Sequence, residues 1–171
     1  MLTIILSILL AFTWNAQPKK GTSSSEDKGI KTERFNVIDI SNDSIMQAIL
    51  TDALKNVDQS DNVPYFLLGY GKLNNGTLIN FSEYNDSVLN YNMYPYSIIL
   101  FDGYKVLVSG DLSYKIKGIK TENTTYIPKR TSRQPTDVMP VVKSYYFIMD
   151  DIYARFSPTE GWIWSDGKPD E

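Results

Sequence analysis

None of the 171 residues is cysteine or histidine, and this double absence constrains the chain more than any motif in it. It removes disulfides, Cys/His zinc sites, Ser-His-Asp triads, thiol nucleophiles and haem ligation by histidine together. A fold of this kind must stand on buried apolar surface and main-chain hydrogen bonds. With 42% hydrophobic residues the composition is that of an ordinary globular domain, and the length fits one such unit. The formal charge of −3 lacks the basic excess of a nucleic-acid binder, so no nucleic-acid partner is expected.

The first fourteen residues, Met1 to Trp14, are uncharged and almost wholly apolar. As a helix they would cover only about 20 Å, too short for a ~30 Å hydrocarbon core. The length suits the apolar region of a secretory signal peptide, which predicts a leader over residues 1–16 and contact with a membrane only through it. The alternative is a buried N-terminal helix or strand. Residues 17–34 hold a single apolar side chain, Ile30, and read as a flexible polar linker. The folded domain is therefore expected over 35–165, with a polar tail at 166–171. An exported chain without disulfides points to the bacterial envelope, periplasmic or secreted.

Within the domain, Ile45, Met46, Ile49, Leu50, Ala53, Leu54 and Val57 fall on one arc at 100° per residue. That predicts an amphipathic helix from Ser41 to Asn56, with Ser41 as its N-cap. Two hairpins follow from turn chemistry. Asn74-Asn75-Gly76 separates 65–70 from 77–81, and Asp102-Gly103 separates 96–101 from 104–108. Lysine alternation across 114–120 suggests a protected edge strand. Residues 121–140, with three prolines, read as irregular, and 141–149, 152–156 and 161–164 read as further strands. The resulting expectation is an α+β fold: a mainly antiparallel sheet of six to seven strands with one principal helix packed on one face.

Chemistry without histidine falls to carboxylates, lysine or tyrosine. Asp150-Asp151 is the conspicuous pair, but adjacent residues at a turn both face water, so it reads as a turn. Asp58 to Asn62 lacks the glycine and distal glutamate of a calcium loop, and Gly69-Tyr70-Gly71 lacks the third glycine and the helix of a dinucleotide fingerprint. No cofactor or metal is called for, and no catalytic residue is assigned. The basic stretch from Lys115 to Arg133 reads as a solvated edge.

Aromatics remain: twelve Tyr, seven Phe and three Trp. Trp162 and Trp164, two apart in an extended segment, project to one face. With Tyr153 in the preceding strand they form the candidate ligand platform, for a glycan or a protein partner, although both indoles could instead close the core. The function expected is that of a non-catalytic binding module. The alternatives are a carboxylate-dependent, glycosidase-like hydrolase and an inhibitor or immunity-type protein.

Overall fold

The computed structural model describes residues 29–55, 57, 65–90, 93, 95–109, 116–131 and 138–165. The expected leader (1–16), most of the linker and the tail (166–171) lie outside the described residues. The chain forms strand β1 (Ile30–Asp39), helix α1 (Ser44–Leu54), β2 (Tyr65–Leu73), β3 (Gly76–Tyr84), β4 (Pro95–Phe101), β5 (Tyr104–Ser109), β6 (Ile119–Arg130), β7 (Val141–Met149), β8 (Ile152–Ser157) and β9 (Gly161–Ser165). All nine strands belong to one sheet, in the order β6-β1-β4-β5-β2-β3-β7-β8-β9.

This overturns the expected antiparallel sheet of six to seven strands under a principal helix. The sheet is larger, it is mixed, and α1 is a short helix of 11 residues. The β4–β5 hairpin inserts between β1 and β2, and each arm runs parallel to its outer neighbour, β4 to β1 and β5 to β2. The insertion stabilises both outer strands because it is apolar on both faces. Ile38, Ile99, Val106 and Phe66 align across four strands beneath α1, while Ile98, Leu107 and Leu67 align on the opposite face. Burial on both sides is the usual setting for parallel pairing.

Local chemistry explains the hairpins. Asp102 and Gly103 carry φ of 48° and 81°, the left-handed pair that a two-residue type I′ turn requires, and Phe101 faces Tyr104. Leu73 faces Gly76 across Asn74-Asn75, and Met149 faces Ile152 across Asp150-Asp151. The helix begins later than its pattern suggests. Asp43, not Ser41, is the N-cap: its Oδ1 accepts the Met46 N–H at 2.9 Å, and its Oδ2 accepts the Lys117 N–H at 2.9 Å. The Ser41 N–H instead donates to Asp39 Oδ1 in the turn leaving β1.

Two segments extend the sheet beyond expectation. β1 starts at Ile30, five residues before Phe35, because residues 30–34 pair in register with β6 from Arg130 back to Tyr126. β6 itself occupies the stretch that reads as irregular, and Ile116 to Gly118, within the lysine alternation, lie outside any strand. Pro128 is tolerated in β6 because its carbonyl points away from β1, accepting the Leu89 N–H at 2.8 Å. Its ring nitrogen lies on that same outer side, so the β1 ladder loses no donor.

The core has two parts on opposite faces. α1 packs through Ile45, Met46, Ile49, Leu50 and Leu54 onto Ile38, Phe66, Leu68, Ile79, Phe81, Ile99, Val106 and Tyr146. Across the sheet, Leu89, with Met93 and Val138 at its margin, covers Phe35, Tyr65, Tyr84, Ile98, Leu107 and Ile127. Among the described residues that second cover reaches β1 to β6 but not the β7–β9 end.

Candidate functional site

The uncovered end of the sheet is aromatic. Side chains directly opposite in a ladder share a face, so the pairs Leu78–Phe147, Phe147–Ala154 and Ala154–Trp164 place one row of residues on the side away from α1. Tyr145 is two residues from Phe147 and shares its face. Phe156 pairs with Trp162, which lies two residues from Trp164 on the same side. Phe147 sits between the two indoles, 6.0 Å from each ring centre, and Phe156 packs edge-on against Trp162 at 5.3 Å. The ring planes cross at 53–80°, so the surface is corrugated, with aromatic faces and edges alternating. Tyr145, Phe156, Trp162 and Trp164 are each 40–48% exposed, whereas Ala154 beneath them is fully buried.

The structure thus brings Trp162 and Trp164 together in the open, and neither closes the core. It does not bring Tyr153 to them. Tyr153 faces Ser165, one step out of phase with Trp164, so its ring projects to the α1 side. There it packs half-buried against the core, 6.3 Å from the Tyr146 ring. The three-residue turn 158–160 sets this phase by pairing Ser157 with Gly161, whose φ of 78° closes the turn. Tyr145, Phe147 and Phe156 take the place assigned to Tyr153. The alternation of Tyr145 with Phe147 is visible in the sequence, but its phase relative to Trp162 is not.

A cleft of about 250 Å³ adjoins the aromatic surface on the same face, where the β2–β3 ladder meets the covered half. Gly69, Asn80, Ser82, Ser109 and Pro140 are among its lining residues. Asn80 lies directly opposite both Gly69 and Tyr145, so the cleft and the aromatic row are contiguous. Gly69 leaves the room that the Asn80 side chain occupies: a Cβ would fall 1.8 Å from Asn80 Oδ1 and displace it. The Ser109 hydroxyl is buried with no hydrogen-bond partner among the described residues. The surface accordingly offers apolar rings beside amide and hydroxyl groups, with no charged side chain in the row.

Several of the described carboxylates are dispersed and held in ion pairs. Asp52 holds Tyr146 and Arg155, Glu33 holds Lys129, Glu83 holds Lys143, Asp86 holds Arg130, and Asp151 holds Lys117. Asp150 and Asp151 form the β7–β8 turn. Asp43 and Asp150 both line a second cleft at the start of α1, but both Asp43 oxygens accept main-chain N–H groups, which makes that carboxylate a cap. Lys117, Lys129 and Arg130 of the basic stretch are likewise in ion pairs, and Lys129 Nζ also lies 5.9 Å from the centre of the Phe35 ring. Among the described residues no helix is long and apolar enough to cross a membrane. Comparison of the chain with known protein families, curated proteins and solved structures finds no match.

Proposed function

We propose that the chain is an exported, non-catalytic binding domain, and that its ligand, a glycan or a protein, docks on the aromatic face of β7–β9. The observation that carries this is the cluster of Tyr145, Phe147, Phe156, Trp162 and Trp164 on a sheet face that neither α1 nor the Leu89 cover reaches. Large apolar groups gathered on one open face are the usual mark of an interaction surface. Tyr and Trp suit either ligand class, because each joins a wide apolar ring to a polar handle. The dispersal of the described carboxylates, five of them in ion pairs with lysine or arginine, supports binding over hydrolysis.

The experiment is retention on a panel of insoluble polysaccharides and on a peptide array, comparing the wild type with Trp162→Ala/Trp164→Ala. Retention lost in the double variant, with the fold intact by circular dichroism, is the expected result. Equal retention by both proteins would place the binding surface elsewhere. No retention of the wild type on any member would count against the reading. Acrylamide quenching supplies a second check, made on protein in which Trp14 is replaced by Phe: both remaining indoles should quench readily.

A further inference from the structure

The two edges of the sheet are treated differently. At one edge, β6 carries lysines, Pro128 and Arg130, and its outer side is partly filled by Leu89, which bonds to Pro128 and Arg130 in a parallel bridge. At the other, β9 reads Gly-Trp-Ile-Trp-Ser, with no charge and no proline, and no described strand lies beyond it. Proteins ordinarily blunt an edge by lysine, proline, bulges or a covering segment. β6 has such devices, and β9 has none among the described residues. Trp162, Ile163 and Trp164 are all at least 40% exposed, the tryptophans on one face and Ile163 on the other, as for a strand missing its next neighbour.

Hydrogen-bond phase shows what that neighbour must offer. The closing pair of a two-residue hairpin exchanges both main-chain bonds, and Met149–Ile152 is that pair. Bonded pairs then recur at Phe147–Ala154, so Ala154 points its main chain at β7 and Arg155 points its own at β9. Ile163, opposite Arg155, is therefore bonded to β8, and the N–H and C=O groups of Trp162 and Trp164 project from the open edge.

We infer that β9 pairs antiparallel with β9 of a second copy, about a two-fold axis normal to the sheet at Ile163. Such an axis keeps each copy's aromatic side on the same face. It sets Trp162 opposite Trp164 of the other copy, twice, so both outward-facing residues of each strand exchange both main-chain bonds, four bonds in all. Ile163 meets its symmetry mate in the non-bonded position between them, where side chains are nearest. No charged side chain lies within the paired strands, so none meets its like there. The two aromatic faces merge into one surface across the axis. At their observed exposure, the three side chains offer on the order of 300 Å² per copy. That is well below a standard interface of about 1,200–2,000 Å² in total, so the dimer is weak and reversible. Because pairing consumes β9 and β6 is blunted, assembly closes at two copies.

The test is sedimentation velocity of the full chain from about 10 to about 500 µM, the range in which so small an interface exchanges. The weight-average mass should rise with concentration towards twice that of the monomer and no further. Ile163→Lys sets two ammonium groups against each other at the axis and leaves the Trp face intact. It should remain monomeric throughout, with wild-type circular dichroism. In hydrogen exchange, the Trp162 and Trp164 amides should slow at high concentration while the Ile163 amide, already bonded to β8, does not change. A wild type that is monomeric at every concentration would overturn the inference. So would a dimer that survives in folded Ile163→Lys, a dimer in which the Trp162 and Trp164 amides exchange as in the monomer, or growth into larger polymers. The inference uses the strand's edge and not its face, so its failure would leave the proposed ligand surface standing.

Discussion

The Tyr146 hydroxyl donates a 2.8 Å hydrogen bond to Asp52 Oδ2, joining the buried middle of β7 to the polar flank of α1. The ring is fully buried, and Arg155 Nη1, reaching from β8, lies 3.5 Å from the other Asp52 oxygen. One carboxylate on the helix thus gathers two strands beneath it. Removing only the hydroxyl, in Tyr146→Phe, leaves the ring packing intact and Asp52 with its exposed arginine. Hydrogen bonds to charged groups contribute about 1.5–3 kcal/mol, so the variant should lose roughly that much or somewhat less, because Asp52 stays partly hydrated. Urea unfolding of the two proteins measures it. A loss below ~0.3 kcal/mol would show that the bond does not tie helix to sheet.

Asp43 performs two tasks with one side chain, capping α1 at Met46 and holding the main chain at Lys117, 74 residues away. Asp43→Ala removes both acceptors and strands a partly buried N–H, and should cost about 1–3 kcal/mol. Asp43→Asn keeps a good capping residue but only one oxygen, and should fall between the two. Equal stability of Asp43→Ala and wild type in denaturant melts would remove the cap from this account.

Burial separates three substitutions in their expected cost. Ile49, on the sheet-facing side of α1, is fully buried, Thr51 is exposed with its hydroxyl bonded back to the Gln47 carbonyl, and Trp164 is 48% exposed. Ile49→Ala should cost about 2–5 kcal/mol through lost burial and the cavity left behind. Thr51→Ala should change stability by less than about 0.5 kcal/mol. Trp164→Ala should cost far less than the ~3–5 kcal/mol of a core aromatic. A Trp164→Ala loss as large as that of Ile49→Ala would mean that the indole is structural.

What the sequence announces is local. The Asp102-Gly103 turn, the register around it and the arc of apolar residues in α1 each depend on neighbours a few positions apart, and each is found in the structure. What it conceals is non-local or a matter of phase. Nothing near Ile38 or Ile99 says that they will lie side by side in parallel strands, because that pairing follows from inserting a whole hairpin between β1 and β2. Pro128 argues against a strand until Leu89 is seen on its outer side. Tyr153 lies on the face away from Trp164 for a subtler reason. Strand alternation fixes which residues of β8 share a face with one another, but only the length of turn 158–160 fixes which of those faces also carries Trp164.

Alkaline pH should unfold the protein through its buried tyrosines. Burial raises the hydroxyl pKa of Tyr146 well above the usual 10.0, and the Asp52 carboxylate raises it further. Burial, then the charge of Asp86, raises those of Tyr65 and Tyr84. A group whose pKa is higher folded than unfolded keeps its proton in the native state while the unfolded chain releases it. The stability it contributes is complete below about pH 10 and declines as pH rises from there towards the folded value. For Tyr146 the decline approaches about 1.4 kcal/mol per pH unit, the free energy of one unit of pKa difference. Urea midpoints should therefore be flat with respect to these three groups between pH 7 and about 9 and fall steeply above about 10. Tyr146→Phe, which has no proton to lose at that position, should start lower at neutral pH but fall less steeply, so the two curves converge in alkali. Parallel curves would mean that Tyr146 ionises as readily folded as unfolded, contradicting a buried hydroxyl held by Asp52.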